Sequence, residues 1–231
     1  MNTDNLKYRH EFKYVISNAE LQMIKNRVNN LLLPDVHTGE DGIYNIRSLY
    51  FDDYCDTCLK ENIDGTDPRE KFRIRIYNHS SDKITLECKR KERGMTHKTS
   101  CPLTLEQTKL LMRGIPIRNI ASQQKLLQKF TAKMLLHNFK PVIIVEYDRI
   151  PFVYKDGNVR VTFDTNISSS SAVDKFLDSD IPKRPVLPFG KQLLEVKYDE
   201  FLPDFIYRSL QINNLKQTAF SKYAICRKFR I

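Results

Sequence analysis

Several kinds of residue are scarce in this 231-residue chain. It has no tryptophan and only 7 glycines, so no glycine-rich phosphate loop is available. Gly190-Lys191 lacks the rest of a P-loop. The longest apolar stretches, such as "PVIIV" at 141–145, are far too short to span a bilayer. "MNTDNLKYRHEFKYVI" has no apolar centre like that of a signal peptide, so a cytoplasmic location is expected. The 5 cysteines are odd in number and do not form a secreted disulfide framework. Cys55 and Cys58 make a lone C-x-x-C without the second pair that a structural zinc site needs, and ordinary reduced thiols are expected. None of the histidines (His10, His37, His79, His97, His137) stands at a ligand or triad spacing.

Positive charge is abundant. Lys and Arg outnumber Asp and Glu by 38 to 28, a formal +10. That favours an anionic partner: a nucleic acid, an acidic lipid surface or a phosphorylated small molecule.

The chain shows no repeat, linker or low-complexity segment, and one domain over 1–231 is expected. Ser17 with Glu20 forms a capping box ahead of the stripe Leu21, Ile24, Val28, Leu31 and Leu32, which predicts a helix over 18–32. Further helices are predicted at 104–113, 119–137, 204–212 and 221–229. Strands are predicted at 8–15, 44–52, 70–78, 83–91, 95–101, 142–149, 158–164 and 192–198. "KDGN" at 155–158 reads as a hairpin turn, and the serine run at 168–171 as a mobile loop. The sum is an α+β chain of roughly eight strands with helices between them.

Within those strands the charges alternate. Side chains of a strand point to opposite faces in turn. Lys71, Arg73 and Arg75 therefore share a face opposite Phe72, Ile74 and Ile76. The same pattern places Arg9, Glu11 and Lys13 together in 8–15, and Glu87, Lys89 and Lys91 together in 83–91. It groups Arg160, Thr162 and Asp164 in 158–164, and Glu195 and Lys197 in 192–198. One such strand is an ordinary sheet with a wet face. Five sharing the habit suggest that the charged faces converge, while helices cover the apolar ones.

Eight strands suffice to close a barrel. A barrel lined with Arg, Lys and Glu is costly when empty and sensible around a polyanion with a cation. Arginine forks match phosphate oxygens, and a few glutamates would hold Mg²⁺ or Mn²⁺. Interleaved carboxylates would repel a nucleic-acid backbone, so no nucleic-acid partner is expected.

"RHEFKY", "IRSLYFDD", "KFRIRIY", "LECKRK", "VEYDR", "VRVTFDT", "LLEVKY" and "FSKY" follow one another in that order. Together they resemble the VTC domain, the polyphosphate polymerase branch of the triphosphate tunnel metalloenzymes. The resemblance implies a closed eight-stranded antiparallel tunnel with helices packed outside, holding a triphosphate and Mn²⁺ or Mg²⁺. Many tunnel enzymes begin with E-x-E-x-K; here Arg9 stands at the first position, followed by Glu11 and Lys13. That departure disfavours the hydrolase branch and suits the VTC branch.

The resemblance places Lys13, Arg73, Arg75, Lys89, Arg149, Arg160 and Lys197 on the phosphates. It puts Lys222 at a tunnel mouth, with Ser221 either a phosphate contact or the cap of the last helix. Glu195 is the leading metal ligand; Glu87 and Glu11 either hold metal or orient an arginine. Arg73, Arg75, Lys222 and Glu195 are the candidate catalytic set. Tyr147 and Arg149 are expected inward, Arg47 opposes Ser48, Tyr50 and Asp52 so that both faces of 44–52 cannot line the tunnel without a bulge, and Lys71 is expected at the rim. The implied activity is transfer of the γ-phosphate of ATP to pyrophosphate or a growing polyphosphate chain. The alternatives are a metal-dependent triphosphatase and a non-catalytic polyphosphate- or nucleotide-binding module. Export of product across a membrane would require a separate membrane protein as partner.

Overall fold

The structure is a computed structural model and describes residues 8–39, 41–212 and 215–228. Ten strands are formed: β1 (His10–Ser17), β2 (Leu33–Pro34), β3 (Tyr44–Asp52), β4 (Arg69–Tyr77), β5 (Ser80–Glu92), β6 (Met95–Leu103), β7 (Lys140–Tyr154), β8 (Val159–Ser170), β9 (Arg184–Pro185) and β10 (Lys191–Tyr198). Six α-helices accompany them: α1 (Asn18–Asn29), α2 (Thr57–Asp64), α3 (Leu105–Met112), α4 (Lys125–His137), α5 (Asp204–Leu210) and α6 (Lys222–Lys228).

All pairings are antiparallel, in the order β1-β10-β8-β7-β3-β4-β5-β6, with β2 added to β7 and β9 to β8. The sheet curls until its edges approach, and Arg9 and Thr96 exchange two backbone hydrogen bonds of 3.0 and 3.1 Å. Beyond that bridge the described residues of β1 and β6 form no ladder. Lys98, Thr99 and Ser100 on the outer edge of β6 are exposed. The expected closed barrel is thus corrected to a curled, open sheet.

The period of two decides what faces where. Phe72, Ile74 and Ile76 of β4, Leu86 of β5 and Ile144 of β7 join Leu111 of α3 and Phe130 of α4 in one buried cluster. Val161 and Phe163 of β8 and Leu194 and Val196 of β10 join Ile24 of α1 and Ile206 of α5 in a second. Helices therefore cover the outer apolar face and leave the charged face to the concave side. The capping boxes are formed: Ser17 accepts from the Glu20 amide at 3.2 Å, and Thr104 from the Gln107 amide at 3.1 Å.

Three expectations change. The serine run leaves the strand only at Ser171: Ser168, Ser169 and Ser170 end β8, are buried, and pair with β7 while Ser168 and Ser169 also pair with β9. Their small side chains let β9 and α6 pack closely against that end. The helix predicted from 119 begins only at Lys125, because Asn119 takes a left-handed φ of 55° that interrupts a helix. Helix α2 was not predicted; the Asp52 carboxylate accepts from the Cys58 and Leu59 amides at 2.9 and 3.1 Å and so fixes its start. Cys58 is consequently a buried thiol pushed upward by burial and by Asp52, while Cys55 is exposed.

Arg47 resolves the ambiguity of β3. A register shift falls between Tyr50 and Phe51, but Arg47 stays on the outer face, fully buried. Its Nε donates to Glu146 Oε2 at 2.5 Å, and its Nη atoms donate to the carbonyls of Phe176, Asp178 and Ser179. Ser48 and Tyr50 take the inner face instead. Replacing Arg47 by Met would leave Glu146 buried without that guanidinium and three carbonyls unbonded, costing about 3–5 kcal/mol. Urea unfolding followed by circular dichroism tests this, and the Arg47→Met/Glu146→Met double variant should lose less than the two singles combined.

Candidate functional site: a cationic cavity inside the curl

The concave face encloses a narrow cavity of about 80 Å³ that continues into a wider mouth of about 640 Å³. Lys13, Arg73, Arg75, Lys89, Arg149 and Lys197 line the narrow part, joined by Lys222 of α6 and by Ser221 just before it. Glu11 and Glu195 line it too. Strand parity explains the gathering, since β1, β4, β7 and β10 each contribute alternate residues and β5 adds Lys89.

The segment before α6 packs against β1 beside the narrow part. Thr218 donates its amide to the Lys13 carbonyl at 2.8 Å, and Lys13 Nζ donates to the Phe220 carbonyl at 3.0 Å. Ser221 Oγ accepts from the Ala224 amide at 3.3 Å and from Lys71 Nζ at 3.3 Å. The hydroxyl therefore both caps α6 and faces the cavity. Helix α6 is held by Tyr223, which donates to Asp52 Oδ2 at 2.5 Å, and by Arg227, which pairs with Asp56.

Each carboxylate serves several cations. Glu195 has Lys222 Nζ at 2.7 Å, Lys197 Nζ at 3.0 Å, Arg149 Nη2 at 3.4 Å and Lys13 Nζ at 3.9 Å. Glu11 has Lys89 at 2.6 Å, Lys197 at 3.4 Å and Lys13 at 3.6 Å. Burial alone would raise both carboxyls; the surrounding lysines reverse this and hold both well below the usual range. Asp164 is fully buried behind Arg149 (2.6 and 2.7 Å) and Lys222 (2.5 Å). Burial opposes the charge on Lys222, but Asp164 and Glu195 raise its pKa and keep it an ammonium.

Two predicted residues lie elsewhere. Arg160 lines only the wide mouth, where it pairs with Asp35 and donates to Tyr44 Oη at 3.2 Å. Glu87 lines neither part; it accepts from Arg73 Nε at 2.8 Å and from Lys98 Nζ at 3.1 Å, and lies 3.6 Å from Arg75 Nη1. Its position behind the arginines orients them. Lys71, expected at the rim, stands on the wall of the narrow cavity. The sequence reading also missed Tyr50, whose hydroxyl accepts from Arg73 at 2.8 Å, and the supporting role of Asp164. Asp164 shared the charged row of Arg160 and Thr162, but that row could not tell a wall residue from a support.

The donor set bears on a divalent metal. Among the described residues, no group of three or more His, Cys, Asp or Glu side chains could hold one. Among the described residues, Glu11 and Glu195 are the carboxylates that line the narrow part, and both contact Lys13 and Lys197. Two carboxylates suit Mg²⁺ or Mn²⁺ only when phosphate oxygens complete the shell. Glu87 does not fit that role.

The VTC domain family model matches residues 8–230. The chain belongs to the VTC domain family. No curated protein matches the sequence. Solved structures share the fold of this VTC domain at low identity. An adenylyl-cyclase candidate from Hippeastrum, described as revealing a dominant triphosphatase activity, aligns with TM-score 0.52 and 12% identity over 97% of each chain. A Pyrococcus horikoshii protein aligns with TM-score 0.51 and 15% identity, covering 96% of this chain and 100% of its own. No helix among the described residues of the VTC domain is long and apolar enough to cross a membrane.

The cage of the VTC domain is tuned toward anions. Burial, only partly opposed by Glu11, and the neighbouring Lys13 and Lys197 bring the Lys89 ammonium down to about 7. A bound anion favours the charged form and so raises that pKa. Binding should take up protons above pH 7, and affinity should fall as the pH rises from about 7 toward the ordinary lysine value of about 10. Sulfate keeps a constant charge over this range. Calorimetry with sulfate in buffers of different ionisation enthalpy should show proton uptake by the wild type and a smaller uptake by Lys89→Met.

Proposed function

We propose that this VTC domain, read as one unit over 1–231, is a polyphosphate polymerase. ATP would supply the γ-phosphoryl group, and pyrophosphate or a growing polyphosphate chain would accept it. The observation that carries the reading is the lining of the narrow cavity: eight basic side chains against two carboxylates. Such a surplus suits a compact polyanion and no neutral ligand.

Arg73 and Arg75 would grip the triphosphate from β4, opposite Arg149 and Lys197 from β7 and β10. Their guanidiniums are fixed beforehand by Glu87, Tyr50 and Ser48, so little reorganisation accompanies binding. Arg149 is held by Asp164 and Glu195, and Lys222 reaches the cavity from α6. Lys13, Lys89 and Lys222 would stabilise charge on the transferring group and its leaving group. The acceptor is a phosphate already ionised at neutral pH, so no strong general base is required. Glu195 and Glu11 would hold Mg²⁺ or Mn²⁺, which would supply positive charge to offset that of the phosphates.

Hydrolysis of a triphosphate is the second reading. It is favoured by the structural likeness to the Hippeastrum protein described as having triphosphatase activity. The same cage would serve, with water as acceptor. Arg9 in place of the first glutamate of the hydrolase pattern weighs toward the polymerase.

Incubation with ATP and Mn²⁺ or Mg²⁺, followed by gel separation, decides between them. Phosphate ladders are expected; orthophosphate alone would replace the polymerase by the hydrolase. Tight triphosphate binding without turnover would leave a binding module. Arg75→Ala should weaken tripolyphosphate binding by about 1.5–3 kcal/mol, the worth of a charged hydrogen bond. Glu195→Gln should abolish metal-dependent turnover while binding tripolyphosphate in EDTA at least as tightly as the wild type, because four cations lose their counter-charge.

A further inference from the structure

Charge is unevenly spread over the outer surface. Residues 104–140, from the cap of α3 to the first residue of β7, carry seven basic side chains against one acid, Glu106. That excess of six is more than half of the chain's formal +10. The other helical layer is balanced, for α1 and α5 set Lys25, Arg27 and Arg208 against Glu20 and Asp204.

Most of this charge has no counter-ion. Lys129 pairs with Glu70 at 2.6 Å, and Lys133 lies 5.8 Å from the centre of the Phe139 ring. Lys109, Arg113, Arg118, Lys125 and Lys140 are exposed, and among the described residues they make no ion pair. Folding does not ask for them. Lys125 stands in the first turn of α4, where the helix dipole disfavours a cation, and no acid accompanies it there.

Aliphatic side chains stand among these cations. Leu135 and Leu136 at the end of α4 are 67% and 78% exposed, and Leu105, Leu110 and Ile115 are exposed in and after α3. The helix period leaves the two leucines of α4 outside, since Leu127, Phe130 and Met134 take its core face. The ends of the two helices meet. A Cβ on Gly114 would stand 3.5 Å from Lys140 Cγ, so the turn after α3 lies against the start of β7, which Asn138 and Phe139 join to α4.

We propose that the outer face of α3 and α4 docks the protein onto an anionic membrane surface. Its cations would meet lipid phosphates, while Leu135, Leu136 and Ile115 enter the boundary with the acyl chains. Such docking does not depend on what the cage binds. A cluster of Lys and Arg on a helical surface suits an anionic leaflet, and exposed aliphatics add apolar burial at the headgroup boundary. A nucleic acid fits less well, because the phenyl rings of this stretch, Phe130 and Phe139, are buried and offer no stacking platform. A protein partner also fits less well, because protein interfaces are depleted in lysine and enriched in aromatics.

Co-sedimentation with vesicles of equimolar phosphatidylcholine and phosphatidylglycerol, against vesicles of phosphatidylcholine alone, tests the docking face. The wild type should pellet with the anionic vesicles only, and less so as salt rises. Lys109→Gln/Arg113→Gln/Lys140→Gln should weaken partitioning at least about tenfold, and Leu135→Ser/Leu136→Ser about fivefold. Lys155→Gln/Lys191→Gln/Lys216→Gln, which removes three exposed charges outside 104–140, should weaken it less than about twofold. Circular dichroism checks that the variants fold. No pelleting with anionic vesicles, equal pelleting with neutral ones, an equal loss in the charge control, or no loss in the leucine variant would overturn the proposal. A protein that ignores vesicles but binds polyglutamate through the same three cations would put an acidic protein in the membrane's place and overturn it as well.

Discussion

Like charges forced together inside a curled sheet are the constraint on which this molecule is built. Two unit charges 4 Å apart interact with about 4 kcal/mol at the effective dielectric of a protein surface. Eight basic residues around one small cavity would push the strands apart without counter-charge. Glu195 and Glu11 act as hubs, each touching at least three cations, and Asp164 and Glu87 stand behind the wall. Glu11 ties β1 to β5 across the curl through Lys89, while Lys222 ties α6 to Asp164 of β8 and Glu195 of β10.

The outer face answers a different demand. Its apolar residues form two clusters, covered by α3 and α4 on one side and by α1 and α5 on the other. Helix α6 stands apart from this division, because it brings Lys222 to the inner face while burying Cys226 in the core. Its anchor is Asp52, which also starts α2. One buried carboxylate thus ties the end of the cage to the outer shell, and displacement of α6 would strand Asp164 and Glu195 beside fewer cations.

Compensation inside the cage is incomplete by design of its rows. The carboxylates suffice to fold the curl but leave Lys71 unmatched and Lys89 poised near neutral pH. Both lysines have ligand-ready ammonium groups whose charge an anion would restore. This is the physical link between the fold and a phosphate-rich substrate: the interactions missing from the protein are those a polyphosphate would supply.

Much of this was legible in the chain itself. The period of two in "KFRIRIY", "LECKRK" and "LLEVKY" set which side chains share a face, because pleated backbone leaves no other choice. The spacing of three between Ser17 and Glu20 marked a capping box in the same way. The sequence could not settle which residues form the wall and which support it. Arg47 and Arg73 are both arginines in strands, yet one is a buried staple on the outer face and the other a cavity residue. Glu87 and Glu195 both alternate with lysines, yet only Glu195 reaches the cavity. The serine run at 168–171 reads as a loop because composition carries no record of the strand beside Ser168, Ser169 and Ser170. These outcomes depend on curvature, on register between strands distant in the chain, and on where α6 returns. Local chemistry determined the faces; only the closing approach of the sheet decided which charges meet.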